Sequence, residues 1–166
     1  MPASRPAQGK MGKIRAPQVS MKAAVPVKCG ILLMADAHQN MLEGVRTLLA
    51  DLFDAVVMVA DGDSLLRVAP SVGPDLIIVD LSLPGLHSGS VLRALRRRDA
   101  AAPPRVIVLS VHDEAEAVRE AFAAGATGYV LKRSAATDLI PAVHEALQDR
   151  IYVSPGVHTV PDRGGE

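Results

Sequence analysis

Five short apolar runs, spread evenly between Gly30 and Arg150, constrain this chain more than any other feature. They occupy residues 31–35, 55–59, 76–79, 106–109 and 128–131. Each is four or five residues long and nearly continuous rather than alternating. That pattern fits strands covered on both faces. Helical periodicity fills the gaps. Met41, Leu42, Val45, Leu48, Leu49 and Leu52 follow an i, i+3, i+4, i+7 pattern. Val91, Leu92 and Leu95 do the same, as do Val118, Ala121 and Phe122, and then Leu139, Ile140, Val143 and Leu147. Ser64, Leu65, Leu66 and Val68 predict a shorter helix after the Asp61-Gly62-Asp63 turn. Five strands alternating with five helices predict an α/β fold, a doubly wound parallel sheet in a single domain.

Composition supports a full core and narrows the partners. Apolar residues make up 49% of the 166, but aromatics only 2%, so the core must be built from Val, Leu, Ile and Ala. Few aromatics also means few stacking platforms for single-stranded nucleic acid. Arg5, Lys10, Lys13, Arg15, Lys22 and Lys28 face no acid within residues 1–28, and the remainder holds 12 bases against 18 acids, a net of −6. Residues 1–28 therefore read as a disordered basic leader. An acidic domain behind it predicts no direct DNA binding. Cys29 stands alone, which excludes an intramolecular disulfide. No apolar run reaches the ~18 residues of a membrane span, and the leader lacks a secretory apolar stretch. The expected location is the cytoplasm. Residues 29–150 hold every predicted element, and residues 151–166, rich in Pro and Gly, read as a flexible C-terminal tail.

The chemistry is expected where the strands end, because open α/β sheets bind ligands outside the carboxyl ends of their strands. The first strand runs into Asp36, the third into Asp80, the fourth into Ser110 and the fifth into Lys132. Two carboxylates, a hydroxyl and an ammonium on one sheet edge suit phosphoryl transfer to a carboxylate. Asp80 can act as the nucleophile. A divalent cation held by Asp36 and Asp80 would neutralise phosphoryl oxygens. Lys132 and Ser110 can contact the remaining oxygens. Singly, each residue is also explained as a helix cap or a solvated loop residue. Gly85, Gly89, Gly125 and Gly128 form neither a GxGxxG nor a P-loop, which argues against a nucleotide-binding enzyme. His38, His87, His112, His144 and His158 show no metal-ligand spacing on one face. Arg96-Arg97-Arg98 reads as the basic end of a helix.

The segments ILLMADAH (31–38), PDLIIVDLSLPG (74–85), RVIVLSVHDE (105–114) and AGATGYVLK (124–132) resemble a response-regulator receiver domain, of the LuxR/NarL type. The resemblance implies a flavodoxin-like five-stranded sheet of order 2-1-3-4-5. It implies that Asp80 is the phosphoacceptor, that Ser110 and Tyr129 are the switch residues, and that Lys132 is the site lysine. It also implies Mg2+ as cofactor, held by Asp36, Asp80 and the carbonyl of Ser82. The expected partners are a histidine kinase or phosphotransfer protein and a downstream protein, with homodimerisation as a further option and no enzyme activity. Function is then that of a stand-alone receiver in a two-component phosphorelay. Three departures matter. Ala37 stands where the family has a second, metal-binding acid, which should weaken the cation site. That loss also supports an alternative, a pseudo-receiver whose acidic site works without phosphate. Arg133 follows Lys132 where many receivers have a cis-proline; a cis bond there would cost ~3 kcal/mol. Residues 151–155 resemble the lead-in to a helix-turn-helix domain, but residues 151–166 as a whole read as loop and supply no recognition helix. A phosphohydrolase using Asp80 is disfavoured because Ser82, not an acid, stands two residues on. Finally, Pro141 inside the last helical pattern predicts a late helix start at Thr137, or a kink.

Overall fold

The computed structural model describes residues 28–84, 88–96 and 102–157. Apart from Lys28 the basic leader lies outside them, as do Gly85, His87, Arg97, Arg98 and His158. The strands are β1 (Ile31–Ala35), β2 (Ala55–Val59), β3 (Leu76–Asp80), β4 (Arg105–Ser110), β5 (Gly128–Leu131) and β6 (Tyr152–Val153). The helices are α1 (Gln39–Leu49), α2 (Gly62–Val72), α3 (Ser88–Arg96), α4 (Ala115–Ala124) and α5 (Ala135–Leu147). All neighbouring strands are parallel, in the order β2-β1-β3-β4-β5-β6.

Burial explains the missing alternation in the sequence. β3 and β5 are buried at every residue, and β1 and β4 at all but their first. Odd and even strand positions feed two separate cores. Leu33, Ile77, Val108 and Tyr129 pack on one face beneath α2, α3 and α4, through residues such as Leu65, Leu92 and Val118. Leu32, Ile78, Ile107 and Val130 pack on the other beneath α1 and α5, through Leu42, Val45, Leu139 and Val143. Both faces are apolar because both are covered.

Three local expectations need correction. First, α2 is longer than its periodicity suggested. Asp61 is its N-cap, accepting from the Ser64 amide at 2.7 Å, so the turn residues belong to the helix start. It runs on through the exposed Pro70 to Gly73, whose φ of +61° suits a glycine ending.

Second, α5 begins at Ala135 rather than Thr137, directly after a tight 3₁₀ turn at Lys132–Ser134. Thr137 does not cap it; its hydroxyl donates to the Ser134 carbonyl at 3.0 Å. Burial of Ala135, Leu139, Ala142, Val143 and Ala146 holds the full helix in place despite Pro141. The bond before Arg133 is trans, as there are no cis peptides among the described residues.

Third, the sheet has six strands, not five, and the tail read from residue 151 onward is structured as far as Val157. Asp149 turns the chain at a φ of +57°, and its carboxylate pairs with Arg105 at 3.0 and 3.3 Å. Aspartate tolerates this left-handed backbone better than most residues. β6 then returns alongside β5, with Gly128 opposite Tyr152 and Tyr129 opposite Val153. Two strand residues flanked by Pro and Gly carry little periodic signal. What holds them is Ser154, which is buried just past the strand. Its amide donates to the Tyr129 carbonyl at 2.9 Å. Its hydroxyl accepts from the Leu131 amide at 3.0 Å and donates to Asp138 at 2.6 Å. Ser134 donates to the same Asp138 oxygen at 2.6 Å. Burial works to raise the Asp138 pKa, but hydrogen bonds from Ser134, Ser154 and Thr137 outweigh it and hold the carboxyl below its usual range.

Two stability measurements test these assignments. Pro141→Ala restores an amide donor within α5 at an exposed position and should stabilise the protein by about 2 kcal/mol in urea unfolding. Ser154→Ala leaves the Leu131 amide and Asp138 short of a partner, and should cost about 1–3 kcal/mol. Faster hydrogen exchange at the Leu131 amide should accompany it; unchanged exchange would show that Ser154 does not anchor β6.

Candidate functional site

Parallel strands bring their carboxyl ends to one edge, and β1, β3, β4 and β5 each deliver a polar group there. Asp36 follows β1, Asp80 ends β3, Ser110 ends β4 and Lys132 follows β5. Asp36, Asp80 and Ser110 are buried. The centre of the site is Lys132. Its ammonium donates to Asp36 Oδ2 and to Asp80 Oδ2, both at 2.8 Å. The lysine side chain is 14% exposed and the Asp80 side chain 1%, so the ion pairs are largely shielded from water.

Asp80 is held from three directions. The Ser82 amide donates to Oδ1 at 2.9 Å, the Ser82 hydroxyl to Oδ2 at 2.6 Å, and Lys132 to that same Oδ2. Burial alone would raise the Asp80 pKa. The Lys132 ammonium and the two Ser82 donors outweigh it and hold the carboxyl below its ordinary value of 3.8. Burial would lower the Lys132 pKa, but bonds to Asp36 and Asp80 lift it above its ordinary 10.5. At neutral pH Asp80 is therefore an anion and Lys132 a cation.

Ser110 and Tyr129 belong to a second chain of contacts beside the first. Ser110 Oγ accepts from the His112 amide at 3.1 Å, and Tyr129 donates from its hydroxyl to the His112 carbonyl at 2.8 Å. Tyr129 is fully buried, and burial raises its pKa. The backbone of His112 thus links the end of β4 to the aromatic on β5. Its imidazole turns away toward Glu114, 3.4 Å off. Beyond it, Arg133 pairs with Asp113 at 2.9 Å.

One site residue escaped the sequence reading. His38, just past the exposed Ala37, folds back over Asp36. Its amide reaches Asp36 Oδ1 at 2.8 Å and its Nδ1 the same oxygen at 2.9 Å. That Nδ1 is also 3.9 Å from Asp80 Oδ2. The available signal was the Asp-Ala-His spacing at the end of β1, which sets both side chains on one turn. The spacing of histidines among themselves could not show it. Cation-binding groups do fit here: two carboxylates already share one positive charge, that of Lys132.

The geometry and the comparisons agree on the class of protein. The response regulator receiver domain family matches residues 32–144, and the chain belongs to it. Among curated relatives it is 32% identical over 131 residues to the nitrate/nitrite response regulator protein NarL of Escherichia coli K12, covering 78% of this chain and 60% of the relative. It is 33% identical over 128 residues to the transcriptional regulatory protein DegU of Brevibacillus brevis, covering 76% and 53%. The chain thus spans little more than half the length of these relatives. Among solved structures, a LuxR-family two-component response regulator from Aurantimonas sp. SI85-9A1 superposes with a TM-score of 0.69 at 30% identity, over 76% of this chain and 91% of that one. The signal receiver domain of NarL from Mycobacterium tuberculosis gives 0.68 at 30%, over 74% and 99%. Among the described residues no helix is long and apolar enough to cross a membrane.

The ion-pair geometry makes a stability prediction. Without divalent cation at pH 7, Lys132→Ala should cost about 3 kcal/mol, because two buried carboxylates lose their counter-charge. Asp80 has a folded pKa below its unfolded one. Its contribution is complete above about pH 5 and is lost as pH falls through the folded value. The contribution of Lys132, whose pKa is raised, is complete below its unfolded value and is lost as pH rises through the folded one. Urea titrations of parent and variant should therefore begin to draw together below about pH 4 and meet only below the folded pKa of Asp80. A gap that ignores pH would assign the effect to packing of the lysine stem.

Proposed function

We propose that this receiver domain accepts a phosphoryl group on Asp80 and passes its state on through protein contacts, as a cytoplasmic component of a two-component phosphorelay. The observation that carries the reading is the Asp80 carboxylate, ionised, buried and fixed at the end of β3 by Lys132 and Ser82. An ionised carboxylate is the form that attacks phosphorus. The new bond is Asp80 O–P; the bond broken is the one joining phosphorus to its donor, a phosphohistidine of a kinase or phosphotransfer protein.

The remaining residues have positioning and charge-balancing roles. Lys132 can move from the carboxylates to a phosphoryl oxygen without leaving the site. The Ser110 hydroxyl, which accepts from the His112 amide, can donate its own proton to another such oxygen. Because the His112 carbonyl also holds Tyr129, a shift of this loop would reach the β5 side of the surface. Asp36 and Asp80, with the Ser82 carbonyl, would hold a divalent cation such as Mg2+. Such an ion neutralises phosphoryl oxygens as charge accumulates. Signalling rather than turnover of a substrate is the outcome of this chemistry.

Intact-mass measurement after incubation with acetyl phosphate and magnesium tests the assignment. The parent should gain a single phosphoryl adduct, and Asp80→Asn none. Equal labelling of both would move the acceptor elsewhere. No adduct on either would favour a phosphate-independent binding module.

A further inference from the structure

His38 offers the site a ligand that its sequence position alone does not announce. It occupies the N-cap position of α1, yet its side chain makes no capping bond. The ring instead turns back to the carboxylates, with Nδ1 2.9 Å from Asp36 Oδ1 and 3.9 Å from Asp80 Oδ2. One ligand atom each from Asp36, His38 and Asp80 lie within 4.8 Å of one another. A cation bound at about 2.0–2.2 Å to such groups holds them roughly 3–4 Å apart, so only a small closure is needed. The Lys132 ammonium already bridges the two carboxylates and shows that this edge gathers positive charge.

We propose that His38 Nδ1 is a metal ligand in this chain, alongside Asp36 and Asp80, and that the site therefore favours a first-row transition cation over magnesium, with manganese, the hardest and weakest-binding of that series, as the most demanding test case. The proposal rests on reading this edge as a cation site, but not on phosphoryl transfer. Ala37 contributes a methyl group at the rim and no oxygen. Magnesium demands oxygen ligands in near-ideal octahedral geometry and gains little from an imidazole. Transition cations later in the first row accept imidazole most readily, and manganese, though it favours oxygen, takes a ring nitrogen more readily than magnesium does. Binding would need the Nδ1 proton that now faces Asp36 Oδ1 to leave to solvent while Nε2 takes one up, so that the Nδ1 lone pair can face the metal. A dication held here would take over the charge balance of Asp36 and Asp80 that Lys132 now supplies. The ring is well placed for this change, because the His38 side chain is 68% exposed and can close over an ion without disturbing the core.

Pulsed EPR of the full chain with Mn2+, together with Mn2+ and Mg2+ titrations, tests it. The parent should show the nitrogen coupling of a directly bound imidazole, and His38→Ala should lose it. Manganese affinity should fall at least about ten-fold in that variant, while magnesium affinity stays essentially unchanged. Ala37→Asp should do the reverse, raising magnesium affinity. Absence of nitrogen coupling in the parent, or equal manganese affinity in His38→Ala, would overturn the proposal. Acetyl phosphate labelling at saturating cation separates the two readings. Metal binding with nitrogen coupling but no adduct would defeat only the phosphoacceptor role. An adduct without nitrogen coupling would defeat only the role of His38.

Discussion

The Lys132 ammonium, held at 2.8 Å from both Asp36 and Asp80, is the interaction around which the rest of the structure is organised. It joins residues 96 and 52 positions apart in sequence and draws together the ends of β1, β3 and β5. Burying two carboxylates side by side is unfavourable unless something opposes their charge. The lysine does so, and together with the Ser82 donors it holds the Asp80 pKa down where burial alone would raise it.

Such a pair needs a rigid frame, and the doubly covered sheet supplies it. Its strands have no freedom to slip, because a shift by one residue would exchange the two cores. The position of Lys132 is secured further from below. Leu131, its neighbour, donates its amide to Ser154, and Ser154 is tied to Asp138 on α5. The last strand thus lies one bond away from the site lysine. A separate route runs from Ser110 through the His112 backbone to Tyr129. Two hydrogen-bonded paths therefore lead from the acidic edge toward the surface formed by β5, β6 and α5.

The departure at Ala37 takes on a different meaning in this setting. Judged by its spacing, the loss of an acid beside Asp36 reads as a weakened cation site. In the fold, the next residue returns over the same carboxylate, so the turn that lacks an oxygen presents a ring nitrogen. The net charge of the edge also changes. With one acid fewer, the single lysine balances the pocket more nearly, and the edge depends less on a bound ion for its stability.

The sequence by itself determined the class of fold, five of the strands, the helices between them, and four of the polar groups at the strand ends. It could do so because double-sided burial leaves continuous apolar runs and because α/β connectivity puts every strand's carboxyl end on one edge. Tertiary structure decided the rest. β6 exists because Ser154 and a parallel neighbour hold two residues that have no periodicity of their own. α5 starts at Ala135 because the burial of its alanine and leucine face outweighs the local cost of Pro141. His38 joins the site because the turn after β1 brings its ring beside a carboxylate from β3, 42 residues away in the chain. Strand periodicity is a property of neighbouring residues, and neighbouring residues record it. Contacts across the sheet edge depend on distances between elements, which no local pattern encodes.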